Sequence, residues 1–137
     1  MTQQNFENLF ESLMNEELPM VHKTGGNFSF GLVNSCSNGK RITLSKALSA
    51  QLKLEDSICI MPSVENRQLV IGKALPFRKA MKINLRGSGK KIGYSASCVE
   101  VITKAFALDF SNRVCTTFYN IDFGEKDGAP FAVINVP

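Results

Sequence analysis

The sequence predicts an α+β protein made of two diverged copies of one unit, in which a basic strand runs into a short helix and then a β-hairpin. Three observations predict it. Runs of alternating apolar and polar residues are bounded by glycine- and asparagine-rich breakers, as half-buried strands are. Serines stand immediately before two short segments of helical periodicity, where a hydroxyl can cap the first turn. Finally, Gly39-Lys40-Arg41-Ile42-Thr43-Leu44-Ser45 recurs fifty residues later as Gly89-Lys90-Lys91-Ile92-Gly93-Tyr94-Ser95, with four of the seven positions identical, and the same order of predicted elements surrounds both.

In chain order, Phe6, Leu9, Phe10, Leu13 and Met14 fall at helical spacing within Asn5 to Leu18, with Glu7, Glu11, Glu16 and Glu17 elsewhere on the turn. That predicts an amphipathic N-terminal helix bounded by Pro19. After Gly25-Gly26-Asn27, the alternation of Phe28, Phe30 and Leu32 predicts a strand, and Asn38-Gly39 a tight turn. Lys40 to Leu44 is a second strand, and Ser45 caps a helix beginning at Lys46 with Leu48 and Leu52 on one face. Ser57 to Met61 and Gln68 to Lys73 form an Ile- and Val-rich hairpin. The second copy opens with a strand from Ala80 to Arg86 and a turn at Gly87-Ser88-Gly89. A helix then starts near Ser97 with Val99, Ile102 and Phe106 inward, longer than the first by up to two turns. The closing hairpin is Val114 to Asp122 and Pro130 to Val136, turning through Gly124 to Gly128. The organisation is thus residues 1–24 as N-terminal helix and connector, 25–76 as the first unit and 77–137 as the second, the two interlocking as one domain.

At 137 residues and 44% hydrophobic, the chain is long enough to bury a core without staples. Cys36, Cys59, Cys98 and Cys115 form no C-x-x-C pair, and most sit among apolar residues, so they are expected to be reduced thiols. The first residues lack a basic segment followed by an apolar run, and no stretch approaches the length of a membrane span, so a cytoplasmic protein with no membrane partner is expected. The net charge of +4 conceals strong segregation: residues 18–54 hold five bases and no acid, and residues 66–99 hold eight bases and no acid. Clustered lysine and arginine of this kind point to a polyanion.

Catalytic and cofactor chemistry finds no support. Gly-Ser-Gly-Lys-Lys at 87–91 lacks the hydroxyl that follows the lysine of a phosphate-binding loop, and a strand follows it where that loop needs a helix. His22 is the single histidine and lies in a polar connector without a predicted nucleophile or carboxylate beside it. No enzyme activity, cofactor or metal is therefore expected. Apart from Tyr94 and Phe77, no aromatic runs through the basic stretches in the way a single-strand stacking platform requires, so duplex contact through phosphates is favoured.

The stretch from Lys40 to Ile60, continued by Arg67 to Ile71, resembles the AbrB-like swapped-hairpin family, in which a basic strand, a short helix, a turn and a β-hairpin make one unit and two units interlock. The resemblance implies two ββαββ units forming tandem swapped-hairpin, β-barrel-like lobes behind the N-terminal helix. It also implies a DNA-binding transcriptional regulator or antitoxin, with Arg41 at the position that contacts DNA, Lys91 in the matching place of the repeat, and Lys46 as the basic residue opening the helix. Together with the charge blocks, this makes Lys40, Arg41, Lys46, Arg86, Lys90 and Lys91 the expected contacts to duplex DNA. The alternative is a protein-interaction module that keeps the fold without binding DNA. In either case the N-terminal helix is expected to serve a second copy or another protein.

Overall fold

The structure is a computed structural model that describes residues 21–23, 27–35, 39–75, 80–126 and 128–137. The expected N-terminal helix, the turn residue Asn38, Cys36 and Phe77 lie outside the described residues. Ten strands and two helices follow in the order β1 (Val21–Lys23), β2 (Phe30–Val33), β3 (Arg41–Leu44), α1 (Lys46–Gln51), β4 (Ser57–Ser63), β5 (Gln68–Gly72), β6 (Met81–Asn84), β7 (Lys91–Tyr94), α2 (Ala96–Ala105), β8 (Cys115–Phe118), β9 (Ile121–Lys126) and β10 (Ala129–Asn135). The fold is α+β and predominantly β. Two antiparallel sheets carry it, one of six strands in the order β1-β9-β10-β5-β4-β6 and one of four in the order β7-β3-β2-β8. No described helix is long and apolar enough to cross a membrane.

Each helix is short because its sequence starts and stops it. The Ser45 hydroxyl accepts from the Leu48 backbone N–H at 3.2 Å, and the Ser95 hydroxyl accepts from Cys98 at the same distance, satisfying a donor that has no partner within the helix. At the other end Lys53 and Ala107 take the left-handed conformation, with φ of 54° and 50°. Their successors close the same six-residue loop back onto the helix, Leu54 N–H on the Ser49 carbonyl and Leu108 N–H on the Thr103 carbonyl, each at 3.0 Å. Helix α2 has ten residues against six for α1, a difference of about one turn. Six residues are far too few to hold a helix in water. What holds α1 is burial of Leu48 and Leu52, both fully inaccessible, each worth about 1.5–3 kcal/mol when withdrawn from water.

One core lies between the sheets. Phe30, Leu32, Ile42 and Leu44 enter it from the four-stranded sheet, Ile58, Ile60, Leu69, Ile71, Ile121, Phe123, Ala132 and Ile134 from the six-stranded sheet, and Cys98, Val99, Ile102 and Phe106 from α2. The central strands β5 and β10 are buried on both faces, since Val70 and Val133, which pair with one another, are also inaccessible. Hence they read as continuous apolar runs rather than alternating ones.

Of the four places where consecutive strands change sheet, β8 to β9 and β6 to β7 bear on the site. Residues 115–126, expected as one strand to Asp122, are two strands: β8 pairs with β2 in the small sheet, and β9 pairs with β10 and β1 in the large one. Phe118 and Ile121 are both buried with Tyr119 and Asn120 exposed between them, a spacing of three that no straight strand permits. The closing hairpin also extends further than its sequence suggested, to Lys126 opposite Ala129. At the β6 to β7 crossing, β6 leaves β4, and its continuation at Arg86 bridges to Ile92 of β7 with reciprocal bonds of 2.8 and 2.9 Å. A further correction concerns His22, expected in a connector. It lies on β1, opposite Asp122 of β9, because a three-residue strand is too short to leave a periodic signal.

Candidate nucleic-acid interface

Strands β3 and β7, which carry the repeated basic motif, lie side by side. Their register sets Arg41 opposite Tyr94, Ile42 opposite Gly93, Thr43 opposite Ile92 and Leu44 opposite Lys91. Residues directly opposed on antiparallel strands share a face. Arg41, Tyr94, Thr43 and Ile92 therefore lie on the outer face, and Ile42, Gly93, Leu44 and Lys91 on the core face. The burial of the two strands agrees, since inaccessible positions alternate in opposite phase along β3 and β7. Matched at a spacing of fifty, the two copies are thus one residue out of step in facing, and such a slip exchanges the two sides of a strand.

That slip corrects the expectation for Lys91. It stands where Arg41 stands in the first copy, yet it is turned to the core face, only 9% exposed, and its ammonium donates to the Gly87 carbonyl at 2.8 Å. Tyr94 takes the outward place instead and is 55% exposed. Two guanidiniums approach the ring, with Arg41 Cζ 6.0 Å and Arg86 Cζ 5.9 Å from its centroid, within reach of cation–π attraction. Arg86 is delivered there by its bridge to Ile92. Gly39 lies against the same ring: a Cβ at Gly39 would sit 3.5 Å from Tyr94 Cδ1 and Cε1, and its φ of +86° suits glycine. The Gly39 carbonyl accepts from Arg41 Nη1 at 3.1 Å.

Beyond the other end of the β3–β7 ladder, Lys46 opens α1. Its aliphatic stem lies 3.7 Å from where a Gly89 Cβ would stand, so Lys46 borders the Gly87–Lys90 turn, and both Lys46 and Lys90 are exposed. Lys40 lies at the Arg41–Tyr94 end, where its carbonyl accepts from Ser95 N–H. Its ammonium pairs with Glu100 of α2 at 2.9 Å, and this hydrogen bond and charge hold the Glu100 carboxyl below the usual carboxylate range. A second ion pair, Lys73 with Glu55, lies elsewhere.

Four of the six expected residues therefore fall into two groups at opposite ends of the β3–β7 ladder: Arg41 and Arg86 at Tyr94, and Lys46 and Lys90 at the Gly87–Lys90 turn. Lys40 is engaged by an acid and Lys91 is buried. Tyr94 was missed as a site residue because it aligns with Leu44, a core position. The detectable signal was an aromatic inside an acid-free basic block. Among the described residues no group of three or more histidine, cysteine, aspartate or glutamate side chains is placed to hold a metal ion. Comparison of the chain with models of protein families, with curated proteins and with solved structures finds no match.

Proposed function

We propose that this protein is a small intracellular regulator that binds duplex DNA through the outer face of its four-stranded sheet, as a binding protein rather than an enzyme. The observation that carries the reading is the placement, along one strand pair, of Arg41 and Arg86 at the exposed ring of Tyr94 and of Lys46 and Lys90 at the Gly87–Lys90 turn beyond the other end of the ladder. Guanidiniums and ammoniums so grouped neutralise backbone phosphates, and arginine beside a groove also reads base edges. A planar aromatic beside the guanidiniums adds a surface for a sugar or base.

The strand pairings support the interlocked, swapped-hairpin reading of the fold. The motif strands of the two copies pair antiparallel with each other, β3 with β7, and so do the final hairpin strands, β5 with β10. The first-copy strand β4 borders β6 of the second, while β8 of the second borders β2 of the first. One chain then does what two would do in a homodimer.

Titration of the protein with duplex DNA at several salt concentrations tests the function. Four phosphate-neutralising side chains predict a slope of log K on log salt of about −3 to −4. Replacement of Arg41 or Arg86 by alanine is expected to weaken binding and to reduce that slope by about one. No binding at low salt, or binding indifferent to salt, would overturn the proposal.

A further inference from the structure

We infer that the duplex site this protein takes lacks dyad symmetry, even though the protein has two copies of its motif; the inference rests on the DNA-binding reading above. Proteins that bind as two-fold pairs present the same contacts twice, and their sites are palindromic in consequence. Here the two copies have parted at each position that would supply the second set. The repeat spacing sets Arg41 against Lys91, but Arg41 faces outward whereas Lys91 is buried on the Gly87 carbonyl. Lys46 opens α1, whereas Ala96 opens α2. Ala50 of α1 is matched by Glu100 of α2, and Glu100 holds Lys40, the counterpart of Lys90. One end of the β3–β7 ladder therefore offers Lys46 and Lys90 to phosphates, while the other carries Arg41 with Tyr94 and, in place of a second lysine pair, an ammonium paired with a carboxylate. Tyr94, approached by both guanidiniums, has Leu44 as its counterpart, a fully buried core residue.

The consequence is a single, polar contact surface that gives DNA one orientation. Reading the same bases on both strands would require the contacts to repeat, and they do not. The protein is accordingly expected to occupy its site as one chain, oriented by the lysine end.

Selection from a pool of duplexes with a randomised core of about two helical turns tests this with the unmodified protein. The expected outcome is an enriched motif without dyad symmetry. A palindromic motif, or bound duplexes with no enriched motif, would overturn the inference while leaving DNA binding intact. Failure to retain any duplex at low salt would overturn the proposed function itself, and this inference with it. Two surface variants give an independent readout on the selected duplex. Lys46→Ala is expected to lower affinity several-fold and reduce the salt slope by about one. Removing the neutral pair together, Lys40→Ala with Glu100→Ala, is expected to leave affinity within about two-fold, because the local net charge does not change. Equal losses in the two variants would contradict the asymmetry.

Discussion

Tyr94 and Gly93 show how neighbouring side chains can be committed to opposite duties by the pleat of one strand. Tyr94 points to solvent beside two arginines, while Gly93 faces β6, where an added Cβ would stand 2.8 Å from Ile83 Cγ2 and 3.1 Å from both the Asn84 carbonyl and Leu85 Cδ2. The Asn84 carbonyl is backbone and cannot swing aside. Gly93→Ala should therefore destabilise the protein by about 1–3 kcal/mol through overpacking, read as a lower urea midpoint. Cys98 is a second case of burial deciding chemistry. It is fully buried in the core, which pushes its thiol from the usual 9.0 up to about 11. A raised pKa means that the folded state retains a proton the unfolded chain has lost. Stability contributed by the neutral thiol is thus complete below pH 9 and lost as pH rises through about 11. At pH 8 iodoacetamide should modify Cys115, which is exposed, and reach Cys98 only after unfolding, as peptide mass mapping would show.

The two helices are built on one plan, but their caps are not equally loaded. Ser95 offers its oxygen to Cys98 N–H alone among backbone donors. The Ser45 hydroxyl accepts from Leu48 N–H, accepts from Ser29 N–H at 3.1 Å, and donates to the Asn27 carbonyl at 2.8 Å. It ties the entrance of β2 to the start of α1. Ser95→Ala should cost about 1 kcal/mol and Ser45→Ala about 2 kcal/mol or more, as the latter also strands the Ser29 donor. Equal costs in equilibrium denaturation would contradict that difference. Much of this was legible in the sequence, because the Ser45 cap, the Leu48/Leu52 spacing and the β4–β5 hairpin are local signals, but the second helix begins at Ala96 under Ser95, ahead of the Ser97 start its spacing to Glu100 suggested. The split of residues 115–126 was not. It depends on which strands receive each half, β2 in one sheet and β10 in the other, and pairing partners leave no trace in local periodicity.

At the scale of the whole molecule, strands from both sheets and the two helices share one core, and the two strands of the basic motif lie side by side. The basic blocks and the recurring seven-residue motif were readable from composition and spacing, whereas the pairing of the two motif strands with each other is seen only in the structure. Which basic residues reach the surface was not readable either, since facing is fixed by register: Arg41 falls opposite Tyr94 and Lys91 opposite Leu44, and a one-residue shift would have exchanged them. The ion pair that withdraws Lys40 likewise spans sixty residues of chain. The most direct test of the central claim is an amide NMR titration of the isotopically labelled protein with duplex DNA at low salt. The shifts are expected to concentrate at Gly39, Arg41, Lys46, Arg86, Lys90 and Tyr94, and to leave the exposed positions Val101 and Tyr119 unmoved. Shifts centred on Val101 or Tyr119, or none at saturating duplex, would contradict it.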